Sequence, residues 1–139
     1  MKTIRQSVRI FILLLIVSAC ATSPATIPPK YNLDNQLENV PNISGYNMMS
    51  WDRIDNQSFI LQTGPNDYYL IVLESRSRTL PSASTIQFSD DRSLVWPRFS
   101  NVIVNDDGWE DSYMINRIYR FRDCAQVEAV RTLLLGETR

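Results

Sequence analysis

The 139-residue sequence contains no histidine. The commonest general base and the commonest metal ligand are therefore missing, which excludes triads of the Ser-His-Asp kind and histidine-based zinc sites. Only two cysteines occur, Cys20 and Cys124, too few for a cysteine metal cluster. Without a histidine partner Cys124 has no papain-like role. No Gly-x-Ser-x-Gly elbow, Ser-x-x-Lys pair or glycine-rich phosphate loop is present. The chain also lacks the apolar stretch of about 20 residues that a bilayer span needs. No metal ion or cofactor is expected.

Excess positive charge is absent too. The net charge is -1, and three of the 14 basic residues, Lys2, Arg5 and Arg9, stand before the apolar run Ile10 to Val17. Loss of that segment leaves 11 basic residues against 15 acidic ones, a net charge of -4. Nucleic-acid binders carry clustered Lys and Arg to displace counterions, so no nucleic-acid partner is expected.

What is present begins with an export pattern. A basic, acid-free start followed by a short apolar run is the layout of a secretory signal. Val17-Ser18-Ala19-Cys20 then resembles the lipobox of bacterial lipoproteins, with a branched apolar residue, two small ones and the acceptor thiol. The resemblance implies cleavage before Cys20 and acylation of that residue, so that membrane lipid becomes a partner through Cys20. An ordinary signal peptide cut at Ala19 or Ala21 is the alternative. Ala21 follows where an Asp would resemble an inner-membrane retention signal, which implies passage to the outer membrane, with the domain facing the periplasm.

The remainder suits one domain. Residues 1–19 read as the signal peptide and residues 20–42 as a lipidated, flexible spacer rich in Ser, Thr and Pro at first and in Asn later. Residues 43–139 read as the domain. Strands are expected at Ser58–Thr63 and Tyr68–Glu74, joined by the turn Gly64-Pro65-Asn66-Asp67, and then at Thr85–Ser89, Phe99–Asn105 and Tyr113–Phe121. Ile115 and Ile118 are out of phase for a regular strand, so a bulge or a helical turn is expected between them. The fold class is mainly β: a small antiparallel barrel or sandwich of about five or six strands, with room for one short helix. After Cys124, the spacing of Val127, Val130 and Leu134 favours a helix by a small margin.

Across Ile43 to Leu133 the order of features resembles an uncharacterised family of small exported proteobacterial lipoproteins, defined only as a domain of unknown function. The resemblance rests on Trp51-Asp52-Arg53-Ile54-Asp55, Thr63-Gly64-Pro65-Asn66, Tyr69 to Leu73, Leu80, Ile86, Phe99 to Val104 and Cys124. It implies a terminal strand after Cys124, which shifts the expectation there from helix to strand. Members usually carry a second cysteine that looks like a disulfide partner, but Ser77 stands at that position here. With Cys20 acylated, Cys124 is left either to pair with a thiol of another molecule or to lie buried and inert.

Three constellations invite a functional reading. The acidic run Asp106-Asp107-Gly108-Trp109-Glu110-Asp111 lacks the spacing of a calcium-binding hand, and a solvated hairpin loop explains it as well. Arg117, Arg120 and Arg122, interleaved with Tyr119 and Phe121, either bind an anionic polymer or form the charged outer face of a strand. Trp51, Trp96, Trp109, Tyr68 and Tyr69 either form an aromatic platform or fill the core, and Trp109, within the acidic loop, is expected to be exposed. The expectation is a non-enzymatic envelope module that binds an envelope protein or glycan through Trp109, Arg117, Arg120 and Arg122. The alternative is a carboxylate-dependent hydrolase or glycan-processing accessory using Asp106, Asp107 and Glu110.

Overall fold

A computed structural model describes residues 26–45, 47–90 and 94–136. The lipobox-like segment and Cys20 lie outside them. Among the described residues nine strands and one α-helix follow in order: β1 (Glu38–Asn39), β2 (Ile43–Ser44), β3 (Ser50–Arg53), β4 (Ser58–Gly64), β5 (Asp67–Leu73), β6 (Thr85–Phe88), β7 (Leu94–Val95), β8 (Asn101–Asp106), β9 (Trp109–Arg120) and α1 (Cys124–Gly136). The main sheet runs β3-β4-β5-β9-β8-β6, antiparallel throughout, and curls into a half-barrel. β1 pairs with the end of β9, while β2 and β7 form a separate two-stranded ribbon. The expected mainly β, antiparallel class holds.

β9 organises the sheet. Its first half, Trp109 to Met114, pairs with β8, and its second half, Ile115 to Arg120, pairs with β5. The register slips by one residue where Val72 faces Arg117 and Leu73 faces Ile115. That bulge is the irregularity expected from the phase of Ile115 and Ile118. It turns both side chains into one core, with Phe59, Leu61, Ile71 and Leu73. The hairpin joining β8 to β9 closes through Asp107 (φ 46°) and Gly108 (φ 89°). Two successive left-handed residues make the tight turn whose twist suits a hairpin.

β4 and β5 read as nearly continuous apolar runs because both of their faces are covered. Odd-numbered Phe59, Leu61, Ile71 and Leu73 point into the core closed by Val102, Val104, Ile86 and Val95. Even-numbered Ile60, Leu70 and Val72 point to a second core with Tyr119, Phe121, Val127, Val130 and Leu134. A buried aliphatic side chain contributes roughly 1.5 to 3 kcal/mol, so the hairpin is held from both sides.

Two sequence expectations are corrected. The segment after Cys124 is helical, as its own spacing indicated, and not the strand that the family resemblance implied. Asp123 caps the helix, accepting from the Gln126 N–H at 2.8 Å, and Gln126 Oε1 accepts from the Arg122 N–H at 2.8 Å. The Asp123 bond satisfies one of the donors a helix start leaves open, and the Gln126 side chain ties the residue before the cap to the first turn. The part of the expected spacer from Tyr31 onward belongs to the fold. Tyr31, Leu33, Leu37 and Val40 are buried, and β1 is hydrogen-bonded to β9. Single apolar residues scattered among Asn and Asp carry no periodic signature, so the packing of this segment left no local trace.

Candidate functional site

The three arginines do not form one strip. Arg117 binds both oxygens of Asp34, at 2.8 and 2.6 Å, and Arg120 pairs with Asp67 at 3.1 Å. The guanidinium holds the Asp34 carboxyl below its ordinary value. Because the bulge precedes Arg117, Arg117 and Arg120 lie on opposite faces of β9. Arg122 lies beyond the strand, just before α1, with its side chain exposed.

The acidic hairpin does not gather its carboxylates. Asp106 faces Trp109 across the ladder while Glu110 faces Asn105, so Asp106 and Glu110 project to opposite faces, and Asp107 sits in the turn. Asp106 is further engaged by Ser82 Oγ. A paired-acid mechanism needs two carboxylates flanking one bond, which this arrangement does not present. Among the described residues no group of three or more acidic or sulfur ligands is placed to hold a metal. Trp109 is exposed, as expected, with 79% of its surface open.

A denser polar cluster, not recognised from the sequence, surrounds Asp55. Its Oδ2 receives Lys30 Nζ and Tyr31 OH, both at 2.8 Å, and its Oδ1 receives the Gln57 N–H and Ser58 Oγ, both at 2.9 Å. Burial alone would raise the Asp55 carboxyl, but these donors outweigh it and the group titrates below its ordinary value. Burial and the Asp55 carboxylate push the Tyr31 phenol up. The cluster fastens the entering chain to the start of β4 and lines a cleft of about 580 Å³ with Pro28, Arg76 and Leu135. Four satisfied donors on one carboxylate make a clasp, with no lone pair poised for chemistry.

Cys124 is exposed and free, so the buried reading of this thiol does not apply. It opens the first turn of α1 and lines a cleft of about 250 Å³ with Ser50, Gln62, Tyr68 and Arg131. The neighbouring thiol lifts the Tyr68 phenol above its ordinary value. Ser77, where the resemblance implies a second cysteine, lies elsewhere. It is buried, its N–H donates to the Asn56 carbonyl, and its Oγ accepts from the Leu80 N–H at 2.8 Å. Ser77 is thus held at the turn before β4, whereas the Cys124 cleft reaches Gln62, four residues past Ser58 and about 13 Å along the strand at roughly 3.3 Å per residue. A disulfide needs Cα atoms within about 7 Å, so positions 77 and 124 are not placed to form one.

The aromatic residues of the proposed platform are dispersed. Trp51 packs edge-on against Phe59 at 6.2 Å, and Tyr69 and Tyr68 lean on the two cores. Trp96 and Phe99 differ: they are 40% and 82% exposed and line a cleft of about 470 Å³ with Leu94 and Asp90. The loop that carries them is tied down. Trp96 N–H donates to Ser100 Oγ at 3.0 Å, Arg98 N–H to the Ile115 carbonyl at 2.6 Å, and Ser100 Oγ to Asp90. Arg98 adopts φ 66°, a left-handed conformation that costs a non-glycine residue about 1 to 2 kcal/mol. Strain of this kind is kept where surrounding contacts over-determine it, as at binding loops. Two open aromatic faces beside a carboxylate suit a ligand with an apolar face and hydrogen-bond donors. In the sequence Phe99 looks like the first residue of the alternating strand, but β8 begins only at Asn101 and leaves Phe99 in the turn.

Residues 1–134 match a family of unknown function, DUF6491, and the chain belongs to it. No curated protein and no solved structure matches the chain.

Proposed function

We propose that this member of DUF6491 is an envelope lipoprotein of the small exported proteobacterial type, whose domain binds another envelope component and does not catalyse a reaction. Cleavage before Cys20 and acylation of that residue tether it to the outer membrane, and the domain faces the periplasm. No helix among the described residues is long and apolar enough to cross a membrane. The tether rests on the basic start, the short apolar run and the lipobox-like Val17-Ser18-Ala19-Cys20. The observation that carries the binding role is the cleft at Trp96 and Phe99, where a tied and strained loop holds two aromatic faces in solvent. Large aromatics left open on a small domain mark an interaction surface. Trp109 and Arg122 offer further exposed contacts, whereas Arg117 and Arg120 are committed to ion pairs. Envelope proteins and glycans are the partners the reading envisages.

The test is crosslinking in intact cells followed by purification from the membrane fraction, with wild type beside Trp96→Ala/Phe99→Ala. Specific recovery of one envelope component, lost in the double variant, is expected. Equal recovery from both, or none above background, counts against the cleft. Intact-mass analysis of wild type and Cys20→Ser tests the tether separately.

A further inference from the structure

The spacer is much shorter than the sequence implied. The fold is under way at Ile27, which packs against the second core, and Thr26 is the first residue described. Six peptide steps separate Thr26 from Cys20, and covalent geometry limits them to about 20 Å at roughly 3.4 Å each. A lipid-headgroup layer is about 6 Å deep, so part of that reach is already used. What is left is less than the width of a domain of about 110 residues, whose radius of gyration is about 13 Å. A domain on so short a leash keeps the side where its chain enters turned towards the bilayer.

That side is the cleft beside the Asp55 clasp. Pro28 lies on its rim, Leu135 of α1 is 47% exposed there, and Arg76 stands beside them without a carboxylate partner among the described residues. Lys30 and Asp55 neutralise each other, so among the described lining residues Arg76 leaves a positive balance although the mature chain is acidic. Apolar side chains beside a cation are the chemistry of a surface that rests in the headgroup region, with hydrocarbon towards the acyl boundary and the guanidinium at phosphate.

Resting on the tether reading, we propose that the cleft formed by Pro28, Lys30, Asn56, Arg76 and Leu135 is a membrane-seating surface. It lies on the anionic headgroups of the bilayer that holds the acyl chains. Seating it turns the opposite end of the β4–β5 hairpin, at Pro65 and Asn66, away from the membrane.

The experiment uses the acylated full chain in vesicles of phosphatidylethanolamine and phosphatidylglycerol, with Cys124→Ser to remove the free thiol. A fluorophore is placed either at Asn56→Cys, on the cleft, or at Asn66→Cys, at the other end of the hairpin, and a headgroup-borne quencher is added. Quenching at position 56 several-fold above that at 66 is expected. Adding Arg76→Glu should weaken seating by about five-fold or more, the effect of one basic residue at an anionic surface. Equal quenching at both positions, or an Arg76→Glu chain that seats unchanged, overturns the proposal. Failure of acylation at Cys20 is visible by intact mass before vesicles are made, and it sinks the tether reading instead.

Discussion

The hydroxyl of Tyr119 donates to the main-chain carbonyl of Tyr31 at 3.0 Å, joining residues 88 apart in sequence. The same oxygen accepts from the Leu33 N–H at 3.2 Å. Tyr119 is wholly buried in β9, so its phenol acts as a peg on which the N-terminal segment hangs. Burial raises the phenol's pKa, and it remains a neutral donor at physiological pH.

Tyr119→Phe keeps the ring but leaves the Tyr31 carbonyl and the Leu33 N–H without this partner. Those two groups keep their own 3.1 Å bond to each other, so the loss expected in denaturant unfolding is that of the hydroxyl's hydrogen bonds, about 0.5 to 1.5 kcal/mol each. A variant within 0.5 kcal/mol or so of wild type would show that the N-terminal segment is not part of the cooperative unit.

Asp55 predicts an acid-side dependence. Its folded pKa lies below the unfolded value near 3.8, so the stability it contributes is fully present above that value. It is lost as pH falls through the lower folded pKa. Chemical denaturation of Asp55→Asn from pH 6 down to about pH 2 should therefore show a flatter loss below about pH 4 than wild type. Parallel profiles would assign the acid transition to other carboxylates, Asp34 first.

Gly108 and Trp109 separate turn geometry from surface exposure. Gly108 holds φ 89°, and Gly108→Val should destabilise by about 1 to 2 kcal/mol or more through left-handed strain. Trp109→Ala, on an open side chain, should stay within about 0.5 kcal/mol. A larger effect at Trp109 than at Gly108, measured by thermal melts, would contradict the exposed hairpin.

Ser77→Cys adds the second cysteine that the resemblance implies, but not within reach of Cys124. Under mild oxidation its thiol should remain unbridged to Cys124, while Cys124 reacts readily with a thiol reagent in the folded protein. Peptide mapping under non-reducing conditions reads the outcome. A quantitative 77–124 disulfide would require β4, or the loop after β5, to lie differently.

Asp123→Ala removes the cap that starts α1, and about 1 kcal/mol is expected from its loss. Selective loss of helical signal at 222 nm before the sheet unfolds would place α1 outside the cooperative core, contrary to the burial of Val127, Val130 and Leu134.

Much of the sheet was legible because it is written locally. Gly64-Pro65-Asn66-Asp67 and Asn105-Asp106-Asp107-Gly108 announce tight turns through residues that tolerate them, and the flanking runs can only pair across those turns. The phase conflict between Ile115 and Ile118 announced the bulge, since a strand alternates with a period of two and both residues had to reach one core. The helix is legible in the spacing of Val127, Val130 and Leu134, whose 3.6-residue period outweighs the strand that the family resemblance implies.

By itself, then, the sequence determined a mainly β chain without histidine chemistry, its hairpins, its bulge and the exposure of Trp109. Each of these follows from residue identity or from neighbours a few positions apart. Only the tertiary structure decided that Asp34 neutralises Arg117, that Asp55 clasps Lys30 and Tyr31, that Ser77 stands far from Cys124, and that Trp96 and Phe99 open a cleft while Trp51 closes on Phe59. Those contacts join segments separated by up to more than eighty residues. Their energy depends on how the β9 scaffold brings distant strands together, and a side chain waiting for a partner that far along the chain looks the same as one that faces water.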